Sequence, residues 1–129
     1  MQIQNTTMTE TNKIILQKAN EAVSKGNYEE FLQYCTEDTK WIFVGDQILN
    51  GKEAVRKWMS NEYIEPPQNE VKNLIAENDY LTAIGQIAVM NENGERIKYS
   101  YCDVWRFHDG KMAELMAFVI EYKDLKDHK

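Results

Sequence analysis

The N-terminal part of the chain has the hydrophobic period of an amphipathic helix. After residues 9–11, apolar and small side chains recur every three to four positions, and Gly26 ends this first predicted helix. Residues 1–8 are mostly polar and precede the pattern. We therefore expect residues 1–8 to form a disordered tail and residues 9–129 to form a single domain. The positions at helical spacing are Ile14, Ile15, Lys18, Ala19, Ala22 and Val23.

Two capping signals predict two further helices. Asn27 with Glu30, and Asn50 with Glu53, have the spacing at which a cap side chain and a carboxylate satisfy each other's backbone N–H groups. Between these helices, residues 39–44 are rich in aromatic and β-branched side chains and predict a strand. The apolar positions are Phe31, Leu32 and Cys35 in the second helix, and Ala54, Val55, Trp58 and Met59 in the third.

The C-terminal half has the pattern of β-strands. Pro66-Pro67 ends the helical region, and apolar segments follow that are separated by turn sequences. Of these, Asn93-Gly94 and Asp109-Gly110 have the strongest hairpin preference. Helices followed by a long antiparallel meander predict an α+β fold. The predicted strands cover residues 71–76, 80–90, 96–107 and 112–122.

The two hairpin turns predict which residues face each other. If each turn has two residues, Gln86 lies opposite Tyr101, and both Ile84 and Met116 lie opposite Asp103. A bulge in either hairpin would shift this register. One predicted face carries Thr82, Ile84, Gln86, Tyr99, Tyr101, Asp103, Trp105, Glu114, Met116 and Phe118. The other carries Ala83, Gly85, Ile87, Val89, Ser100, Cys102, Val104, Ala113, Leu115, Ala117 and Val119.

Three helices can cover only one face of such a sheet. We expect the bulkier face, with Gln86 and Asp103, to curve around the helices and enclose a pocket with apolar walls and a few polar groups. The second face is small, flat and apolar, and it would be a large exposed patch on a monomer. The sequence therefore predicts a homodimer packed through this outer sheet face.

Composition excludes several classes of partner. The net charge is −6 and no stripe of lysine or arginine exists, so nucleic acid is not an expected partner. No segment approaches the roughly 20 apolar residues that span a bilayer, and residues 1–11 lack the apolar run of a signal peptide. Cys35 and Cys102 match no metal-ligand spacing. We expect a cytoplasmic protein without membrane contact, metal or cofactor.

Asp103 is the residue with the clearest chemical interest. It shares one strand face with Tyr99, Tyr101, Trp105 and Phe107, and a carboxylate among aromatic rings is costly unless it is paired or protonated. One interpretation is a pocket acid, proton shuttle or ligand anchor. The other is a structural carboxylate that hydrogen-bonds to its neighbours.

Other side chains on the same predicted face are candidate helpers. Tyr101 could donate a hydrogen bond to a ligand, or be a core residue with a solvated hydroxyl. Glu114 could be a second catalytic carboxylate, or lie at a solvated rim. The predicted ligand-binding residues are Trp41, Trp58, Ile84, Gln86, Trp105, Met116 and Phe118.

The order of these elements and three short motifs resemble the nuclear transport factor 2-like superfamily. The motifs are residues 25–27 (Lys-Gly-Asn), 50–55 (Asn-Gly-Lys-Glu-Ala-Val) and 105–111 (Trp-Arg-Phe-His-Asp-Gly-Lys). Together they cover about residues 10–122, and the SnoaL-like and ketosteroid isomerase-like proteins resemble the chain most. The resemblance implies a cone-shaped fold, with three N-terminal helices on a curved antiparallel sheet, and makes residues 9–129 a SnoaL-like domain.

The resemblance implies a role for Asp103 but not for its usual partners. Asp103 matches the position at which ketosteroid isomerases keep a protonated acid that donates to an oxyanion. The partner tyrosine would fall near Ala19 and the general base near Ile42. The carboxylate of SnoaL-like cyclases would fall at Ile120, and Glu121, one residue away, points to the other face in the predicted register.

Together these features predict a protein that binds a small apolar organic molecule. If it is an enzyme, we expect cofactor-independent proton transfer of isomerase, cyclase or dehydratase type, with Asp103 as the acid or anchor. The alternative is a non-catalytic ligand-binding or protein-interaction module of the same fold, because the fold alone does not determine an activity.

Overall fold

The described part of the chain contains three helices and six strands. The computed structural model describes the backbone of residues 2–129 and the side chains of residues 8–129. The helix α1 includes most of the segment predicted as a tail, residues 1–8, but the side chains of residues 1–7 lie outside the described ones. The tail therefore stays a prediction. The elements are α1 Gln2–Ser24, α2 Tyr28–Gln33, β1 Cys35–Phe43, β2 Gln47–Asn50, α3 Lys52–Glu62, β3 Gln68–Glu77, β4 Tyr80–Met90, β5 Arg96–His108 and β6 Lys111–Glu121.

The six strands form one curved open sheet in the order β2-β1-β6-β5-β4-β3. The strands β3 to β6 form the predicted antiparallel meander. In addition, β1 pairs with β6 in parallel, which places the N-terminal strand between β2 and β6. Helices on one side of this sheet enclose a core, and the predicted α+β cone is confirmed.

The first predicted capping box is present in part: Asn27 caps α2, but its own backbone N–H donates to the Ala22 carbonyl oxygen and not to Glu30. The side-chain oxygen of Asn27 accepts from the Glu30 N–H at 3.1 Å, and its amide donates to the Glu30 carboxylate at 3.1 Å. The second prediction was wrong, because Asn50 is the last residue of β2. Gly51 is the N-cap of α3 with φ 92°, and no side chain caps the helix. The sharp turn from strand into helix requires this positive φ, which glycine adopts without strain.

The first hairpin differs from its predicted two-residue turn. Met90 pairs with Arg96, so five residues connect the strands. The side-chain oxygen of Asn91 accepts from the N–H groups of Asn93 and Glu95, each at 2.9 Å, and this arrangement holds the longer loop. The register is therefore shifted by one residue, and Asp103 lies opposite Ala83 instead of Ile84.

The second hairpin has the predicted Asp109-Gly110 turn followed by a bulge. Phe107 faces Met112 as predicted, but the next pair is Arg106 with Glu114, so Ala113 is an extra residue in β6. Beyond this bulge every pair is shifted by one position. Asp103 consequently faces Ala117, and the predicted pairing with Met116 was wrong.

Both shifts exchange the two faces of β4 and β6, because side chains alternate along a strand. The face towards the helices carries Leu81, Ala83, Gly85, Ile87, Tyr99, Tyr101, Asp103, Trp105, Leu115, Ala117 and Val119. The outer face carries Thr82, Ile84, Gln86, Ser100, Cys102, Val104, Glu114, Met116 and Phe118. The core between the sheet and the helices includes Leu16, Ala19, Phe31, Leu32, Val55, Met59, Leu81, Phe107 and Met112.

Two further findings concern the described part of the chain. None of its helices is long and apolar enough to cross a membrane. Its histidine, cysteine and carboxylate side chains do not form a group of three that could hold a metal ion.

Candidate functional site

A cavity of about 350 Å³ lies between the helices and the inner face of the sheet. Its wall combines residues of helices, strands and loops. Eight of the lining side chains are aromatic: Phe31, Trp41, Phe43, Trp58, Tyr63, Tyr99, Tyr101 and Trp105. The aliphatic lining comprises Val23, Met59, Pro67, Ile87, Val89, Leu115, Ala117 and Val119, and the polar lining comprises Asn20, Asp46, Gln47, Glu62, Asn69 and Asp103.

Asp103 projects from β5 into this cavity. Its partners on the two adjacent strands are Ala83 and Ala117, whose short side chains leave the carboxyl group uncovered. Among the described residues, no hydrogen bond or ion pair reaches this carboxyl group. Burial disfavours the charged form and raises the pKa of Asp103 to about 7. Both protonation states are therefore accessible near neutral pH.

Tyr101 lies on the same face of β5, two residues and roughly 7 Å from Asp103. Its hydroxyl donates to the side-chain oxygen of Asn69 at 2.6 Å. This geometry depends on Gly85, which faces Tyr101 across the sheet and leaves room for the ring. Burial, and next the charge of Asp103, raise the pKa of Tyr101 to about 12, so its hydroxyl is neutral at physiological pH.

Tyr63, directly after α3, is a second phenol in the cavity wall. Burial raises the pKa of Tyr63 above its usual value, and the negative charge of Asp103 raises it further. Tyr63 is not among the site residues predicted from the sequence. It follows a helix end and precedes Pro66, and nothing in that local pattern indicates which side chains it meets.

The cavity wall on the β1 side is a connected aromatic cluster centred on Trp41. The ring of Trp41 makes edge contacts with Phe31, Phe43, Trp58 and Trp105, at centroid distances of 5.7–6.2 Å. Such edge-to-face pairs restrict ring orientation as well as burying apolar surface. The buried Trp41 indole nitrogen has no hydrogen-bond partner among the described residues.

Five of the predicted site residues meet in this cavity: Trp41, Trp58, Tyr101, Asp103 and Trp105. The other five do not line it and lie on the outer sheet face: Ile84, Gln86, Glu114, Met116 and Phe118. Their predicted position was wrong, because of the longer first hairpin loop and the Ala113 bulge. Glu114 instead lies 3.8 Å from Arg106 as an ion pair on that outer face.

The corrected register also moves Glu121. It pairs with Tyr99 and so shares the inner face, whereas the predicted register places it on the opposite one. It is exposed at the end of β6, one inward position beyond Val119. Ile120, in contrast, belongs to the outer face and is 73% exposed.

Comparison with known proteins agrees with this geometry. A model of the SnoaL-like domain matches residues 16–115. The chain belongs to the SnoaL-like domain family. No curated protein matches the chain significantly.

Solved structures with the same fold cover most of this SnoaL-like chain. One is a nuclear transport factor 2-like protein of unknown function from Cytophaga hutchinsonii ATCC 33406, with 20% identity, a TM-score of 0.68, and coverage of 88% of this chain and 99% of that one. A second is the epoxide hydrolase/cyclase-like enzyme SalBIII, with 20% identity, a TM-score of 0.77, and coverage of 85% and 91%. A third is TerC co-crystallised with polyporic acid, with 13% identity, a TM-score of 0.73, and coverage of 84% and 90%.

Proposed function

We propose that this SnoaL-like protein binds a small, largely apolar organic molecule in the cavity and transfers a proton to or from it without a cofactor. The observation that carries the proposal is Asp103, a carboxyl group without a protein partner among the described residues, on the wall of an aromatic cavity. Buried carboxyl groups are usually hydrogen-bonded or paired, so this one is available to a ligand. The reaction type is an isomerisation, cyclisation or dehydration.

The chemistry follows from the pKa of Asp103, raised by burial to about 7. In its neutral form the carboxyl group donates a hydrogen bond to a ligand oxygen and stabilises negative charge that develops there. In its ionised form it accepts a proton from the ligand. Tyr63 remains neutral because burial raises its pKa, and it is the second candidate donor. Tyr101 is held in place by Asn69.

Proteins of the same fold support a small organic ligand. SalBIII is named for a role in pyran ring formation in the polyether salinomycin, and TerC was crystallised with polyporic acid. At 20% and 13% identity these similarities concern the fold, so the ligand of this chain follows from its own cavity residues.

A binding module without catalysis is the second candidate function. The positions at which the family resemblance implies a partner tyrosine, a base and a second carboxylate hold Ala19, Ile42 and Ile120. Ala19 is fully buried in the core, and Ile42 pairs with Ile48 and Met116 on the outer face. None of these three side chains can exchange a proton with a ligand.

The small apolar face that was predicted to form a dimer interface lies mostly towards the helices, so its residues cannot form that interface. We propose a homodimer through the face that is outermost in the structure. One row across the six strands consists of Ile48, Ile42, Met116, Val104, Thr82 and Ile75, of which only Thr82 carries a polar group. The neighbouring exposed side chains are Ile84, Phe118 and Ile120. A largely apolar surface of this kind indicates a protein interface, and packing two copies back to back would bury it in both.

Ligand binding and turnover can be tested together. Enones, steroids and polyketide-like aromatic compounds are titrated against the purified protein, and binding is followed by tryptophan fluorescence, because Trp41, Trp58 and Trp105 all line the cavity. Each ligand that binds is then incubated and analysed for isomers, cyclised products or loss of water. We expect turnover that falls at least a hundredfold in Asp103→Asn, while the matched outer-face variant Glu114→Gln retains it.

The two candidate functions give different results in this experiment. Ligands that bind and never react, with equal affinity for the wild type and Asp103→Asn, would support the binding module and exclude Asp103 as an acid. For the dimer, sedimentation at micromolar concentration should show two copies, and Met116→Lys should give monomers. The control is Ile64→Lys, an exposed apolar residue outside the sheet. A monomeric wild type would refute the dimer.

A further inference from the structure

The charged groups that line the cavity all have the same sign. Asp46, Glu62 and Asp103 carry carboxyl groups, and the remaining polar side chains other than tyrosine are the amides Asn20, Gln47 and Asn69. No lysine, arginine or histidine is among the described lining residues. An anionic ligand would therefore meet carboxylates without a basic group to pair with, at a cost that the low local dielectric increases.

The lining also presents many aromatic rings to a bound molecule. The ring face of an aromatic side chain carries negative charge density, and it attracts an ammonium group within about 6 Å of the ring centre. Trp58, Tyr63, Tyr99, Tyr101 and Trp105 all line the same cavity as Asp103. Tyr99 and Tyr101 have no ring partner among the described residues, so other aromatic side chains do not cover their faces.

We propose that the ligand of this cavity is an amine, protonated or quaternary, attached to an apolar body. The ammonium group lies against the aromatic rings beside Asp103, and the apolar body fills the aliphatic part of the lining. This inference rests on the proposed function and narrows its ligand class. The carboxyl groups and the ring faces together replace the water that the ammonium loses on entering the cavity.

A proton leaves the protein when such a ligand binds. The positive charge beside Asp103 favours its carboxylate, so the protonated carboxyl releases H⁺ to the buffer and forms an ion pair with the ligand. The other titratable side chains of the cavity are Asp46, Glu62 and the tyrosines. Tyr63 and Tyr101 stay neutral, because burial raises the pKa of each. The adjacent strands place Ala83 and Ala117 beside Asp103, and neither titrates.

Three probes of nearly the same shape test the sign of the ligand charge. They are benzyltrimethylammonium, its uncharged carbon analogue neopentylbenzene, and the anion benzylsulfonate. The quaternary probe cannot titrate, so any proton exchange belongs to the protein. We expect benzyltrimethylammonium to bind at least tenfold more tightly than neopentylbenzene, and benzylsulfonate not to bind. Calorimetry at pH 6.5 in two buffers of different ionisation enthalpy should show proton release with the cation.

Three variants test whether the preference for the cationic probe arises from residues of the cavity. Asp103→Asn should abolish proton release and reduce the ratio of cation to neutral affinity at least fivefold. Glu62→Gln should reduce the ratio less, because the side chain lies at the exposed mouth. Glu114→Gln makes the same charge change on the outer face and should leave the ratio unchanged. This control distinguishes an effect of the cavity carboxyl groups from an effect of the overall net charge of −6.

The possible failures have different meanings. Equal or tighter binding of neopentylbenzene, or binding of benzylsulfonate, overturns the amine inference and leaves the proposed small-molecule function standing. If none of the three probes, nor any compound of the enone and aromatic panel, binds to the folded protein, both the inference and the proposed function are wrong. Proton release that persists in Asp103→Asn overturns the ion pair with that residue.

Discussion

Gly85 provides the space that the ring of Tyr101 occupies. The two residues face each other across β4 and β5, and a Cβ atom at Gly85 would lie 2.7 Å from the Tyr101 hydroxyl oxygen. On the β3 side the same atom would overlap the carbonyl oxygen of Glu70. The missing side chain thus allows both the close approach of β3 and the hydrogen bond from Tyr101 to Asn69.

Gly85→Ala should therefore destabilise the protein. The added methyl group must displace either the Tyr101 ring or the β3 backbone, and we expect a loss of about 1–3 kcal/mol in the free energy of unfolding. Urea denaturation measures this loss. In a double-mutant cycle with Tyr101→Ala, part of the loss should disappear, because the ring no longer competes for the space. An alanine variant as stable as the wild type would contradict the close packing.

Stability should depend on pH through Asp103. Its pKa rises from 3.8 to about 7 on folding, so the folded state holds this proton up to about pH 7 while the unfolded chain releases it near pH 4. The contribution of Asp103 to stability is fully present below pH 4 and is lost as the pH rises to 7. The loss is on the order of 4 kcal/mol for a shift of this size.

Asp103→Asn should remove this part of the pH profile. We expect the variant to match the wild type near pH 4 and to exceed its stability at pH 8, as measured by urea denaturation across the pH range. The exposed Asp46→Asn makes the same chemical change at the cavity mouth and should keep the wild-type slope. A wild-type slope retained in Asp103→Asn would show that other groups cause it.

The stability of the first hairpin should depend on the side chain of Asn91. Its oxygen accepts hydrogen bonds from two backbone N–H groups of the loop, those of Asn93 and Glu95. Asn91→Ala should cost about 1–2 kcal/mol of stability, the usual penalty for removing a capping or turn acceptor. Asn93→Ala, one position before Gly94, should cost less because its side chain has no such role. Equal losses of stability in the two variants would contradict this role of the Asn91 side chain.

A larger side chain in place of Ala117 should reduce the cavity volume beside Asp103. The Ala117 side chain points inward next to the carboxyl group, while Met116 points outward on the same strand. Ala117→Leu should therefore weaken binding of any cavity ligand more than tenfold, because the added atoms occupy the ligand volume. Met116→Leu should leave affinity unchanged. The opposite result in a fluorescence titration would support the register that the sequence alone predicted.

Several features of this protein followed directly from local sequence. Strands β4 to β6 could be recognised from their alternating apolar residues, and the family motifs indicated the cone. The shared face of Tyr101, Asp103 and Trp105 also followed, because these residues belong to one strand and alternation within a strand needs no partner. A carboxyl group among aromatic rings was therefore visible in the sequence.

The neighbours of Asp103 from other strands depended on the tertiary structure. The Asn91 side chain lengthens one hairpin loop and the Ala113 bulge adds a residue to the other, and neither leaves a clear signal in the local pattern. Side chains alternate with a period of two, so each one-residue shift exchanged a whole face of the adjacent strand. The sequence alone determined that Asp103 lies among aromatic rings. Only the three-dimensional pairing of strands decided that Ala83 and Ala117 flank it and leave its carboxyl group open to the cavity.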